Sequence, residues 1–198
     1  MVSEPLVLGF DTSAAHCAAA LLCGDRVLAA RAEAMGRGQA ERLMPLIAEM
    51  LARNGAGWRD LDRIGVGVGP GNFTGIRISV AAARGLSLSL GIPAVGVSQF
   101  AVIGAGQDHP HLAAVPAPRE HLYIAPRGQA PSLVSRDEAE ALGLPVELPP
   151  VPKDLAVAVA WIAGHETGPF AAPAPLYVKP ADAAPSREAP LVILDDGG

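Results

Sequence analysis

Clusters of positive charge are absent from this sequence. Its 15 lysine and arginine residues are outnumbered by 20 aspartate and glutamate residues, which gives a net charge of −5, and no basic run occurs. Proteins that bind nucleic acid unaided usually carry a basic patch, because phosphate contacts dominate their affinity. We therefore expect that, if RNA is involved, a partner protein holds it.

Cysteine is also scarce. Cys17 and Cys23 have an even spacing that would put them on one face of a strand, but too far apart to form a disulfide along it. We expect free, buried thiols in a reducing compartment. The apolar runs are shorter than a membrane-spanning helix, and no basic region precedes the first of them. These absences predict a cytoplasmic protein.

Aromatic residues make up only 4% of the chain, although half of its residues are hydrophobic, so the core must consist of aliphatic side chains. The first half reads as a three-strand meander followed by alternating helices and strands. This order is typical of the α/β class with an RNase H-like, actin-like ATPase (ASKHA) fold and a mixed sheet. The predicted strands are 6–10, 16–22, 26–32, 62–69 and 93–97, and the predicted helices are 39–53, 74–90 and 99–106.

The first two long helices differ in pattern. In 39–53, apolar residues recur at helical spacing, and Pro45 within the pattern predicts a late start or a bend. Helix 74–90 is apolar on more than one face, which predicts burial against its own sheet and against a second domain or another chain.

A glycine-rich turn joins the fourth strand to the second helix, in the sequence Gly65-Val-Gly-Val-Gly-Pro-Gly-Asn-Phe-Thr-Gly-Ile-Arg77. Thr74 is the predicted helix N-cap. The turn either directs free N–H groups at an anion or is a tight connection without a ligand; it lacks the lysine of a Walker loop. The Asp-Thr-Ser after the first strand either caps a turn or contributes to a ligand site. The candidate anion or nucleotide residues are Asp11, Thr12, Ser13, Gly69, Gly71, Asn72, Thr74 and Gly75.

The second half is expected to form a smaller, trimmed domain, so that the chain divides into 1–104 and 105–198. Its predicted elements are strands 111–117 and 121–125, helices 137–142 and 154–164, a proline-broken loop 144–153, and a tail from residue 182.

Three motifs in order resemble the TsaB (YeaZ) family. They are Phe10-Asp-Thr-Ser, then Gly69-Pro-Gly-Asn-Phe-Thr-Gly-Ile-Arg77, then Gly91-Ile-Pro-Ala-Val-Gly-Val-Ser98. The resemblance covers residues 6–104, and beyond them only Arg119-Glu120 with Tyr123 and the stretch 177–182 look like family features.

The resemblance implies a non-catalytic paralogue of the transferase TsaD. It implies that the chain supports TsaD, with the ATPase TsaE, in forming N6-threonylcarbamoyladenosine at position 37 of ANN-decoding tRNAs. The implied partner is a TsaD-like transferase bound through a helical bundle, with a homodimer through much the same surface when the chain is alone. It further implies that tRNA is reached only through the complex, and that ATP, Mg²⁺ and metal belong to the partner subunits. No membrane partner and no cofactor of this chain are expected.

Two features of the sequence bear on that implication. Gln99 and Ile103 stand where TsaD-type proteins carry a metal-binding histidine pair, and isoleucine cannot ligate a metal. No catalytic or metal-binding residue is therefore expected here. The sequence also departs from the family: Gly38-Gln39 occupies the place of a usual histidine, and Pro116-Ala-Pro-Arg119 the place of a usual Asp-Ala-Arg.

We carry two hypotheses forward. In the first, the chain is a scaffold subunit whose partner surface lies on helices 39–53 and 74–90. In the second, it is a nucleotide-binding phosphotransferase or ATPase of the actin-like class that uses Asp11 and the glycine turn. The candidate interface residues of the first hypothesis are Leu43, Ile47, Met50, Ile76, Val80, Ala83 and Arg84.

Overall fold

The computed structural model describes residues 4–178. Five strands form the first sheet, in the order β3-β2-β1-β4-β5. The first three pair antiparallel, whereas β4 and β5 run parallel to β1. This mixed sheet confirms the predicted fold class. Its strands are β1 Leu6–Asp11, β2 His16–Cys23, β3 Arg26–Ala34, β4 Arg63–Gly67 and β5 Ala94–Val97.

A second sheet of four strands, in the order β8-β7-β6-β9, forms the trimmed part of the molecule. The helix over Gln39–Arg53 has the predicted bounds and runs on through Pro45, so it does not begin late. The remaining strands are β6 Leu112–Pro116, β7 His121–Ala125, β8 Ser132–Ser135 and β9 Val146–Glu147. The helices are α1 Gln39–Arg53, α2 Phe73–Leu90, α3 Gln99–Ala105, α4 Arg136–Glu140 and α5 Pro152–His165, with a 3-10 turn at Trp58–Asp60.

Helices cover both faces of the first sheet. Alternate residues of β1 point to opposite faces, so that Leu8 and Phe10 join the core beneath α1 and α2, whereas Val7 joins the core beneath α5. Strand β2 alternates in the same way. The central strands are therefore buried on both sides, which explains why they read as continuous apolar runs.

Helix α5 lies directly on the backbone of the sheet because two strand residues lack side chains. A Cβ at Gly9 would lie 2.6 Å from the carbonyl oxygen of Ala156, and one at Gly65 would lie 2.6 Å from that of Val159. Arg63 then holds the end of α5, since its guanidinium donates to the carbonyl of Ala163 at 2.7 Å and to two later carbonyls.

Helix α5 belongs to the core of the first sheet, although it follows the second sheet in the chain. Among the described residues, Leu155, Ala156 and Val159 of α5 pack with Val7 and Ala18 of β1 and β2. The second unit is limited to the β6–β9 sheet and α4, which has a small core of its own. The predicted tail from residue 182 lies outside the described residues.

Both cysteines within the described residues are free, as predicted: Cys17 is buried and Cys23 partly buried. Burial raises the pKa of the Cys17 thiol to about 11. Within residues 4–178, none of the helices combines the length and apolar character needed to cross a lipid bilayer.

Charged side chains tie the outer edge of the sheet to α1. Arg42 donates to Glu33 of β3 at 2.7 Å and to Glu49 of its own helix at 2.6 Å. Arg31 adds a bond to Glu49 at 2.9 Å. These bonds, from Arg42 first, lower the pKa of Glu49 to about 2, and that of Glu33 also falls below its ordinary value.

Gly9→Ala should destabilise the protein by about 1–3 kcal/mol, because the new methyl group would overlap the α5 backbone. The free energy of unfolding in urea measures the loss. Gly104→Ala is the control, since a Cβ there meets no heavy atom within 4 Å. An unchanged unfolding midpoint for Gly9→Ala would contradict the close packing of α5.

Arg42→Met should lower the free energy of unfolding at pH 7. The difference in this free energy between the variant and the wild type should become smaller as the pH falls. The pKa values of Glu33 and Glu49 are lowered by folding, so their contribution is present above the unfolded value near 4.5 and is lost as the pH falls towards about 2. Urea midpoints of both proteins at pH 7, 4 and 3 test this. A difference that stays constant from pH 7 to 3 would refute the assignment.

Candidate functional site

The loop after β1 is organised around one buried carboxylate. Asp11 Oδ1 accepts hydrogen bonds from the backbone N–H and the hydroxyl of Ser13, both at 2.8 Å, and lies 2.8 Å from His16 Nε2. Asp11 Oδ2 has no hydrogen-bond partner among the described residues and faces the α-carbon of Gly67, where a Cβ would overlap it. The carboxylate therefore fixes the shape of its own loop.

The glycine turn packs against this loop, backbone to backbone. The N–H of Asn72 donates to the carbonyl of Ser13 at 2.6 Å, and the hydroxyl of Thr12 donates to the carbonyl of Gly75 at 2.6 Å. A Cβ at Gly71 would overlap the Ser13 carbonyl oxygen, and one at Gly75 would overlap that of Thr12. We call this pairing of residues 11–13 with residues 69–75 the loop clasp.

The first turn of α2 is capped from within. The side chain of Asn72 accepts a hydrogen bond from the N–H of Gly75 at 2.8 Å, so Asn72 is the N-cap. The prediction that Thr74 is the cap was wrong, because the helix begins at Phe73 and Thr74 is an exposed residue of its first turn.

The loop clasp already uses two N–H groups of the candidate anion turn. The structure brings its eight predicted residues together, and Asp11, Thr12 and Ser13 are fully buried. The N–H groups of Asn72 and Gly75, however, already donate to protein oxygens, and carbonyl oxygens face the turn. The expectation of free N–H groups aimed at a ligand is corrected for these two residues, which favours the tight-connection interpretation.

Gln99 ties α3 to the clasp. Its side-chain Nε2 donates to the Ser13 hydroxyl at 2.8 Å and to the Pro70 carbonyl at 2.9 Å. Ile103, one turn later, is buried in the core. Where the resemblance would place a metal-binding pair, this chain thus has a buried amide and a core side chain. Within residues 4–178, no group of three or more His, Cys, Asp or Glu side chains has metal-binding geometry.

A cleft of about 690 Å³ opens above the clasp, between the first domain and the second sheet. Ser13, His16 and Gln99 form its floor. Its walls are apolar and include Phe73, Tyr123 and several prolines. We call it the interdomain cleft. The described residues that line it include no lysine, arginine, aspartate or glutamate.

Sequence reasoning did not predict the cleft walls. They come from the β6–β7 hairpin and from the loop before α5, which only the fold brings opposite the clasp. The proline-rich composition of 144–153 was the one local signal. The hairpin tip carries Arg119 and Glu120, both exposed and both in the left-handed region, with φ of 59° and 58°.

Six of the seven candidate interface residues belong to the core. The seventh, Arg84, is exposed. The expectation of a docking surface is corrected for the six, because the apolar stripes of α1 and α2 face the first sheet. They are Leu43, Ile47, Met50, Ile76, Val80 and Ala83.

The outer side of α2 carries a different stripe. Arg77, Ala81, Arg84, Gly85 and Leu88 are all exposed and recur at helical spacing. Leu88 is 87% exposed, and a Cβ at Gly85 would meet no heavy atom within 4 Å. We call these five residues the α2 stripe. Arg77 also packs on the ring of Phe73 at 3.7 Å and donates to the Tyr177 hydroxyl at 2.9 Å.

Gly75→Ala should destabilise the protein by about 2–3 kcal/mol, since its methyl group would overlap the Thr12 carbonyl of the loop clasp. Thr74→Ala, at the exposed neighbouring position, should change stability by less than about 0.5 kcal/mol. Urea unfolding of both variants distinguishes the loop clasp from an open cradle, by which we mean a turn whose N–H groups are free to bind a ligand. A Gly75→Ala protein as stable as wild type would favour the open cradle.

Comparisons with known proteins identify relatives of this chain in sequence and in fold. A family model described as "TsaD: tRNA N6-adenosine threonylcarbamoyltransferase" matches residues 32–141, more than half of the chain. The tRNA threonylcarbamoyladenosine biosynthesis protein TsaB of Escherichia coli (strain K12) is 33% identical over 100 residues, which are 50% of this chain and 43% of that protein. The chain spans about half the length of the first curated relatives it matches.

Two solved structures share the fold. YeaZ from Pseudomonas aeruginosa superimposes with a TM-score of 0.52 at 29% identity, over 66% of this chain and 65% of that one. An uncharacterized protein with similarity to peptidase YEAZ from Pseudomonas aeruginosa gives a TM-score of 0.66 at 22% identity, over 88% of this chain and all of that one. The motifs, the fold and the matched relatives agree: the chain belongs to the TsaB (YeaZ) family.

Proposed function

We propose that this chain is a non-catalytic scaffold subunit in the biosynthesis of tRNA threonylcarbamoyladenosine. In this proposal it binds and supports a TsaD-like transferase, which modifies adenosine 37 of ANN-decoding tRNAs. The matched relatives named for this biosynthesis support the pathway. The structural feature that supports the scaffold role is the α2 stripe.

The α2 stripe has the properties of a helix-docking surface. Leu88 offers a large apolar side chain, 87% exposed, that a partner helix would bury. Ala81 and Gly85 are small, so a partner helix can approach the backbone of α2 closely. Arg77 and Arg84 lie at the edges of the stripe, where they can pair with acidic groups and set the orientation of the partner.

The proposed partner chemistry follows from this surface. A helix pair from the transferase would complete a bundle with α1 and α2, and a second copy of this chain would be the substitute occupant when the transferase is absent. The net charge of −5 and the lack of a basic run support the proposal that the partner, and not this chain, binds tRNA. The TsaE-like ATPase, ATP, Mg²⁺ and the catalytic metal would likewise act outside this chain.

Ala81→Glu should weaken the complex with the transferase at least about tenfold, because a charge in the middle of an apolar helix contact is desolvated without a partner. The variant should remain folded, since Ala81 is exposed. Size-exclusion chromatography with light scattering, together with titration calorimetry, measures binding. Transfer of the threonylcarbamoyl group to tRNA in the reconstituted mixture should fall with it.

Two further variants make the result specific. Ala141→Glu places the same charge at an exposed alanine outside the stripe and should leave binding unchanged. Val80 is the neighbour of Ala81 but is only 4% exposed, so Val80→Glu should unfold the protein and not only weaken its binding to the transferase. Wild-type affinity of a folded Ala81→Glu protein would refute the α2 stripe as the docking surface.

A further inference from the structure

The α2 stripe continues into an apolar groove beside the last turns of α2. The groove has a volume of about 370 Å³, and Arg84 and Leu88 of the stripe form one wall. Residues 170–173, which follow α5 in the chain, form the other wall with Phe170 and Pro173. Among the described residues that line this groove, Arg84 is the one charged side chain. We call it the α2 groove, and its surface suits an apolar segment flanked by acidic groups.

The described part of the chain ends beside the first turns of the same helix. The N–H of Leu176 donates to the carbonyl of Val68 at 2.8 Å. Arg77 of α2 donates to the Tyr177 hydroxyl at 2.9 Å. These two bonds hold the chain next to the α2 stripe, and residues 179–198 follow directly.

The sequence of residues 179–198 is complementary to the α2 groove. Residues 191–194 are Leu-Val-Ile-Leu, a run of four large aliphatic side chains, and Asp195 and Asp196 follow at once. The 179–198 segment as a whole carries four acidic and two basic residues, a net charge of −2. The aliphatic run matches the apolar walls, and the two aspartates match the arginine of the groove.

The 179–198 segment is also long enough to reach the groove. Leu191 lies thirteen residues after Val178, a separation that can span up to about 40 Å in an extended chain. The path along the α2 axis from Arg77 to Leu88 is only about 16 Å. A tethered segment of this length has an effective concentration in the millimolar range, so even a contact of millimolar affinity is substantially occupied.

We propose that residues 191–196 of this chain occupy the α2 groove when no partner protein is bound. The four aliphatic side chains pack on Leu88 and Phe170, and the two aspartates pair with Arg84. Because Leu88 and Arg84 also belong to the α2 stripe, the segment and a docking helix exclude each other. The contact within the chain does not depend on the proposed scaffold role, whereas the competition with the transferase rests on it.

Disulfide trapping in the full chain tests where the segment lies. A protein with Gly85→Cys and Ile193→Cys, in a Cys23→Ser background, should form a cross-linked monomer on mild oxidation at least about fivefold faster than the control protein. The control carries Gly104→Cys in place of Gly85→Cys. Gly104 lies on α3 and, like Gly85, is exposed and has no heavy atom within 4 Å of a Cβ built there. Non-reducing electrophoresis and mass spectrometry measure the cross-linked fraction.

A charge swap tests the pairing with Arg84. Adding Arg84→Glu to the cross-linking protein should slow formation of the disulfide about threefold, because the aspartates of the segment would then meet a like charge. Adding Asp195→Lys and Asp196→Lys as well should restore the rate. A rate that is unaffected by Arg84→Glu would disprove the ion pair.

The competition is measured with the transferase. Ile193→Asp should raise the affinity of the full chain for a TsaD-like transferase about threefold to tenfold, because the groove is then open in a larger fraction of molecules. Ala183→Asp is the control, since it adds the same charge to the segment outside the aliphatic run.

Each result bears on one part of the proposal. Equal cross-linking of the Gly85→Cys and Gly104→Cys proteins would overturn the contact. Cross-linked dimers in place of monomers would also overturn it, since a second copy would then fill the groove. Preferential cross-linking without a gain of affinity in Ile193→Asp would overturn the competition alone. The scaffold role is tested separately by Ala81→Glu, so its failure can be told apart from that of the contact.

Discussion

The loop clasp is the constraint on which the rest of the molecule depends. Direct backbone contact between residues 11–13 and residues 69–75 is possible only because Gly71 and Gly75 have no side chains. The contact sets where α2 begins, and Gln99 connects α3 to the same point. The buried Asp11 carboxylate holds one half of the clasp in shape, so a single polar cluster positions two helices and the floor of the interdomain cleft.

The clasp lies apart from the surface to which we assign function. The outer side of α2 faces away from the sheet and carries the exposed α2 stripe, whereas the clasp and the cleft lie at the carboxyl ends of β1 and β4. A phosphate loop needs unpaired N–H groups, and the N–H groups of Asn72 and Gly75 are used internally. These two N–H groups are therefore not free to bind a phosphate as the actin-like ATPase hypothesis requires, and the scaffold proposal does not need that loop.

Periodicity in the sequence predicted the first sheet and the bounds of α1, because strands buried on both faces and an amphipathic helix leave strong local patterns. The role of α5 could not be predicted, since its fit depends on Gly9 and Gly65, which are about 100 to 150 residues distant in the chain. The interface candidates were misplaced for a related reason: an apolar stripe on a helix marks burial but not what buries it. The neighbouring polar residues Asn72 and Thr74 both suit an N-cap, and only geometry distinguishes them.

Hydrogen exchange at the backbone amides of Asn72 and Gly75 would show directly whether the loop clasp is closed in solution. In the isolated chain, without partner or ligand, the Asn72 amide donates across the clasp to the Ser13 carbonyl, and the Gly75 amide donates to the Asn72 side chain that caps α2. We expect both amides to exchange far more slowly than free peptide, at rates that added inorganic phosphate or Mg²⁺-ATP does not change. Exchange at the free-peptide rate, slowed only when phosphate or nucleotide is added, would show instead that the turn is open and binds a ligand.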